Sequence, residues 1–184
     1  MNAHQDEPPE FNFEEFGFIY ADCPYFNWFR QGTEDTLRAV WIWKGLHRAA
    51  TRLGDGGIPL ERIWNGQKLV VHGLDTFNGV VTRAFLHHLH RPVQFPILDR
   101  YVWLAMRQMK PEWGRLPKAL DGRDHYDRYY TRYYIPFFDG LYENCSREID
   151  NMNVPQIAGV DPEIVRRRVL DRALWTYGKV IERA

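Results

Sequence analysis

The chain is poor in cysteine, with only Cys23 and Cys145 among 184 residues. Two thiols so far apart make neither a disulfide framework nor a zinc cluster, so both are expected as free thiols of a reducing cytoplasm. Long apolar runs are missing too, and Met1 opens onto Gln5, Asp6 and Glu7 rather than a basic segment and an apolar stretch. A membrane span and classical secretion are therefore disfavoured. Net charge is absent as well, with 24 basic residues against 24 acidic ones, which argues against a simple nucleic-acid coat protein. There is no internal repeat, no low-complexity segment and no convincing series of strands.

What is present starts with charge asymmetry. Residues 1–29 carry six acids (Asp6, Glu7, Glu10, Glu14, Glu15, Asp22) and no Lys or Arg. Every basic residue follows, so the body is basic, which is compatible with a polyanionic partner. Residues 100–132 hold eight basic residues against four acids, the best stretch for a backbone-binding face, with Arg166-Arg167-Arg168 as a second candidate or a solvated face. Aromatics reach 15%, more than one small core requires, so some are expected to line a cleft.

Helical signals dominate, and the expected fold is all-α: a mobile acidic leader over residues 1–10, then a single compact domain over 11–184. Phe11 to Phe18 read as an extended or irregular segment pinned by its aromatics. A first helix is expected from Thr33, capped by Thr33, Glu34 and Asp35, up to a stop at Gly54. Pro59 opens a short helix through Trp64. Further helices are expected from Val80, over Leu98–Met109, and over Asp124–Tyr134 and Phe137–Glu148 with a hinge at Pro136. Asp161-Pro162-Glu163 is a capped helix start with proline in its first turn, and an apolar stripe then runs to the end of the chain.

The most informative stretch is Gly73-Leu74-Asp75-Thr76-Phe77-Asn78-Gly79, then a helix, then Pro96-Ile97-Leu98-Asp99 at a helix start. This pattern resembles the helix-hairpin-helix DNA glycosylases, the superfamily of endonuclease III and 8-oxoguanine DNA glycosylase. In them the hairpin amides grip a phosphate and the Asp is the catalytic carboxylate. Gln31-Gly32-Thr33-Glu34-Asp35 resembles the helix entry at which endonuclease III carries a Gln that fills the gap left by the flipped nucleotide. Leu170-Asp171 to Trp175-Thr176-Tyr177-Gly178 is similar to the last helix of the 8-oxoguanine enzymes, where two residues four apart contact the extruded base.

The resemblance implies a compact helix-hairpin-helix domain acting as a monomer on double-stranded DNA, without cofactor or metal. Its site would comprise Asp99 for catalysis, Asp171 and Trp175 for the base, and Gln31 as the duplex wedge. Gly73, Asn78, Gly79, Thr82, Arg83 and Arg100 would hold the DNA backbone. Bifunctional members place a Lys about nineteen residues before the Asp, where this chain has Gly79, Val80 and Val81, so no amine is expected there and base release should proceed by hydrolysis without lyase activity. No Cys cluster follows that could hold an iron–sulfur centre. Such an enzyme would flip a modified base and leave an abasic site, in repair or in defence against phage DNA carrying glycosylated cytosines.

Each of these residues also has an ordinary reading. Asp99 fits a catalytic carboxylate, which offsets positive charge growing on the sugar, and it equally fits a helix cap. Gln31 is either a wedge or loop polarity, with Asn65 and Gln67 as weaker wedge candidates. Asp171 and Trp175 share a helix face; together they would read an amino base such as a cytosine derivative, or else they form a core Trp beside an Asp171–Arg167 or Asp171–Arg172 pair. His87, His88 and His90 lack a partner at ligand spacing and read as helix histidines. Tyr129, Tyr130, Tyr133 and Tyr134 with Arg128 and Arg132 read as a stacking surface or as helix packing. The competing class is a non-catalytic DNA-binding or protein-interaction domain on the same helical scaffold.

Overall fold

The computed structural model describes residues 10–11, 16–70, 73, 79–122 and 124–184. Among these the architecture is helical, with no strand and only two isolated bridging pairs, Leu53 with Ile58 and Trp64 with Leu69. The acidic leader, except for Glu10, and the hairpin core of residues 74–78 lie outside the described residues.

α1, the first helix with described bounds and one absent from the sequence expectation, spans Pro24–Gln31, with proline in its first turn and Gly32 ending it in the left-handed region at φ 57°. Next, α2 spans Glu34–Trp43, and Thr33 and Thr36 satisfy each other's backbone amides in a reciprocal cap. It was expected to run to Gly54 but stops ten residues earlier. Gly45 adopts φ +79°, and the Trp41 indole donates to the carbonyls of Leu46 and Thr51, curling the chain back under the helix. The short α3 (Leu60–Ile63) falls where Pro59 predicts it.

The remaining described helices are α4 (Val80–His90), α5 (Arg100–Met109), a short 3-10 helix over Pro111–Trp113, a π-helix over Tyr126–Tyr134, α6 (Ile135–Asn144), α7 (Ser146–Asn151) and α8 (Pro162–Arg183). The two helices expected to meet at Pro136 are contiguous: the π-helix passes into α6 at Ile135, one residue before the proline, and a further break follows at Cys145.

Two buried clusters share the interior. One gathers Tyr25, Phe26, Leu37, Trp41, Ile63 and Phe85 around α1 and α2. The other gathers Val102, Met106, Tyr130, Tyr134, Phe138, Leu170 and Leu174 around α5, α8 and the π-helix. Both α4 and α8 feed both clusters, Phe85 and Val165 into the first, Ala84 and Val169 into the second. The tightest crossing is α5 on α8: a Cβ at Gly178 would lie 2.0 Å from the Tyr101 carbonyl oxygen, so only glycine permits this approach.

Candidate functional site

The segment entering α5 is held by three consecutive carbonyls. His88 Nδ1 donates to the Phe95 carbonyl at 2.6 Å, Tyr130 Oη to that of Pro96 at 2.7 Å, and Tyr134 Oη to that of Ile97 at 2.9 Å. His88 is buried, and its Nε2 accepts from Tyr25 Oη at 2.9 Å. The imidazole must then be neutral with its proton on Nδ1, in keeping with a pKa lowered by burial to about 3. Of the histidines and tyrosines noted in the sequence, these sit in the structural framework beneath the site. Tyr129 packs against Trp103 and Tyr133 against Trp113, which makes them helix packing.

That framework delivers Asp99 as the N-cap of α5. Its Oδ1 accepts the amides of Tyr101 at 2.8 Å and Val102 at 3.1 Å. Its Oδ2 accepts from Lys44 Nζ at 3.1 Å across 55 residues of sequence. Burial opposes ionisation of Asp99, but the Lys44 charge and the two amides outweigh it and hold the carboxyl below its usual range. The Lys44 pKa is lowered as well, by burial, and Asp99 only partly restores it. The cap and the candidate catalytic carboxylate are the same side chain, so the two readings of Asp99 coexist.

A cavity of about 340 Å³ opens beside this pair, lined by Trp43, Lys44, Asp99, Arg168, Asp171 and Trp175 among others. Its volume lies within the range of small-molecule sites. Three residues singled out from separate parts of the sequence, Asp99, Asp171 and Trp175, therefore face one space. Asp171 is buried and paired with Arg168, not with Arg167 or Arg172 as the alternative reading had it. Its Oδ1 is buried with no hydrogen-bond partner. A carboxylate oxygen buried without a donor is costly, so this acceptor is unsatisfied by the protein. Arg168, whose side chain is 12% exposed, lies 5.0 Å from the Trp43 ring and 5.3 Å from Tyr25. Trp175 is half-buried, with Tyr101 against it edge-on and the Arg172 and Lys179 cations each 4.4 Å from its ring. A base stacking on Trp175 would share the ring with a cation or displace one.

Other sequence candidates lie outside this cavity. Gln31 is the exposed last residue of α1, not the entry to α2. Asn65 Oδ1 is used locally, accepting the amides of Gln67 and Lys68. Gly79 caps α4 without a side-chain bond, and with the buried Thr82 and the Gly56-Gly57 turn it lines a separate, more open cavity of about 500 Å³. Gly73 takes φ +76°, while Asn78 lies outside the described residues. Arg83 folds over the Tyr126 ring at 3.9 Å, with its Nε buried, and Arg100 is exposed beside Tyr101 and Glu182. The Arg166–Arg168 run is neither a free basic face nor solvated: its members pair with Asp150, Asp139, Glu163 and Asp171.

Lys44 and Trp43 escaped the sequence reading. The signal that could have found Lys44 is Gly45, which ends the helix and turns the lysine inward. Among the described residues there is no group of three His, Cys, Asp or Glu placed to hold a metal ion, and no helix long and apolar enough to cross a membrane. No family model, no curated protein and no solved structure matches this chain.

Proposed function

We propose that the chain is a DNA glycosylase that takes a modified base, flipped out of double-stranded DNA, into the Asp99 cavity and releases it. The observation that carries this reading is the convergence of Asp99, Asp171 and Trp175 on one cavity. Breaking an N-glycosidic bond builds positive charge at C1′, which a fixed carboxylate offsets. The Asp171 carboxylate would accept from an exocyclic amine, favouring an amino base such as a cytosine derivative, including the glycosylated hydroxymethylcytosine of phage DNA. Trp175 would supply a stacking face.

The test is incubation of the protein with duplexes that each carry one oxidised, alkylated or glycosylated base, followed by alkali. Breakage at the modified position of one or more duplexes is expected. Binding without breakage across the panel would favour the non-catalytic DNA-binding domain instead.

A further inference from the structure

We propose that a second cavity, adjoining the one at Asp99, is a subsite for a single sugar unit carried on the flipped base. The inference rests on the glycosylase reading for the base itself and narrows its class: a glycosylated pyrimidine rather than an oxidised or alkylated one.

The second cavity has a volume of about 130 Å³ and is walled by Phe18, Tyr20, Phe26, Trp43, Arg168 and Arg172, among others. Trp43, Arg168 and Arg172 also line the Asp99 cavity, so the two spaces meet along these three side chains. The volume is that of about four water molecules at roughly 30 Å³ each, so one sugar ring fits with part of it left in solvent, and a second ring does not fit. Phe18 and Tyr20 are 61% and 67% exposed, with their rings edge-to-face at 5.0 Å. Large aromatics exposed side by side on the rim of a cavity mark a binding surface.

The lining selects the ligand. Among the described residues none that walls this cavity is acidic, so a cation would find no counter-charge. An apolar group would use the rings but strip water from Arg168 and Arg172 without replacing its hydrogen bonds. A phosphate would use the arginines and leave the rings idle. A sugar uses both, since its C–H faces pack on aromatic rings and its hydroxyls accept from guanidinium N–H groups. Arg172 has donors to offer: among the described residues it forms no ion pair, and its guanidinium rests 4.4 Å from the Trp175 ring.

Asp171 sets the direction of the substituent. In cytosine the exocyclic amine on C4 is next to C5, so a base held through that amine by the Asp171 carboxylate carries its C5 group past a neighbour of Asp171. That neighbour is Arg168, which pairs with Asp171 and lines both cavities. A sugar linked through a hydroxymethyl group on C5 then enters the second cavity while the bond to be broken stays beside Asp99.

The test measures binding of the full chain to three duplexes that differ only at C5 of one cytosine, which carries hydroxymethyl, glucosyl-hydroxymethyl or benzyloxymethyl. The glucosylated duplex should bind roughly tenfold or more tighter than the other two, as one charge-assisted hydrogen bond would give. In Phe18→Ala/Tyr20→Ala, whose replaced rings are exposed, that preference should collapse. Equal binding of the hydroxymethyl and glucosylated duplexes, or binding of neither, would overturn the subsite. So would a glucose preference that the double variant retains, or a benzyl group bound as tightly as glucose. Base release is scored on the same duplexes. A glucose preference without release from any duplex would sink the glycosylase reading alone, whereas release with equal binding would sink the subsite alone.

Discussion

The two buried clusters are built differently around the same site. The cluster around α1 and α2 is threaded with polar connections: the Trp28 indole donates to the Leu89 carbonyl, the Trp41 indole to two carbonyls, and Tyr25 to His88. The cluster around α5 and α8 holds no histidine; its polar links are the Trp103 indole to the Pro117 carbonyl and the Tyr130 and Tyr134 phenols to those of Pro96 and Ile97. Between them lies the seam that carries Lys44 from one side and Asp99, Asp171 and Trp175 from the other. Well-packed cores resist displacement, so paired charges are tolerated at the seam, where each has a partner and the cavity supplies some solvent access. The difference implies that the first cluster is sensitive to protons and the second to packing.

The seam is where a single change should cost most. Asp171→Asn removes the charge facing Arg168, and loss of one partner of a largely buried pair costs up to about 3–5 kcal/mol. For a chain of this size that lowers the melting temperature by roughly 2–4 °C per kcal/mol. Unchanged melting would mean that Arg168 is paired or solvated in another way. Any change in base preference must then be read at a temperature where this variant is still folded.

Proton sensitivity separates the clusters next. The folded pKa of His88 is about 3, while an unfolded histidine titrates near 6.5. Between those values the unfolded chain binds the proton and the folded one does not, so this stability is present above about pH 6.5 and is lost as pH falls toward 3. Melting curves from pH 7 to pH 4 should slope less steeply in His88→Asn than in the parent chain. Parallel slopes would remove His88 as the acid-sensitive group.

Trp175 tests whether the second cluster's edge belongs to the cavity or to the core. Because the ring is half-buried, Trp175→Ala should weaken binding of DNA containing the responsive base by about 1–3 kcal/mol while melting changes little. A large drop in melting with base preference intact would return Trp175 to the core. The smallest effect is expected from Tyr134→Phe, which deletes the donor to Ile97 and should cost about 1 kcal/mol.

Legibility in the sequence followed the range of the interactions. Asp99, Thr33 and Asp161 were readable as caps because a cap is settled within three residues. The α8 stripe and the start of α4 were readable from period and glycine. The end of α2 was not, since Gly45 stops it in concert with a tryptophan that bonds forward to Leu46 and Thr51. Lys44 was invisible for the same reason, its partner being 55 residues away. The spacing of Asp171 and Trp175 put them on one helix face, and both line the cavity, but the ion partner of Asp171 is Arg168, three residues back, rather than the Arg167 or Arg172 that the spacing suggested.

Asp99 is the residue on which the proposed chemistry depends, and its role can be read directly. Asp99→Asn keeps an oxygen for the amides of Tyr101 and Val102, so helix α5 should remain capped and DNA binding should persist. The neutral amide cannot offset charge on the sugar, and release of the responsive base, followed by chromatography of the free base, should fall by roughly a hundredfold or more. A folded Asp99→Asn protein that releases the base as fast as the parent chain would contradict the assignment.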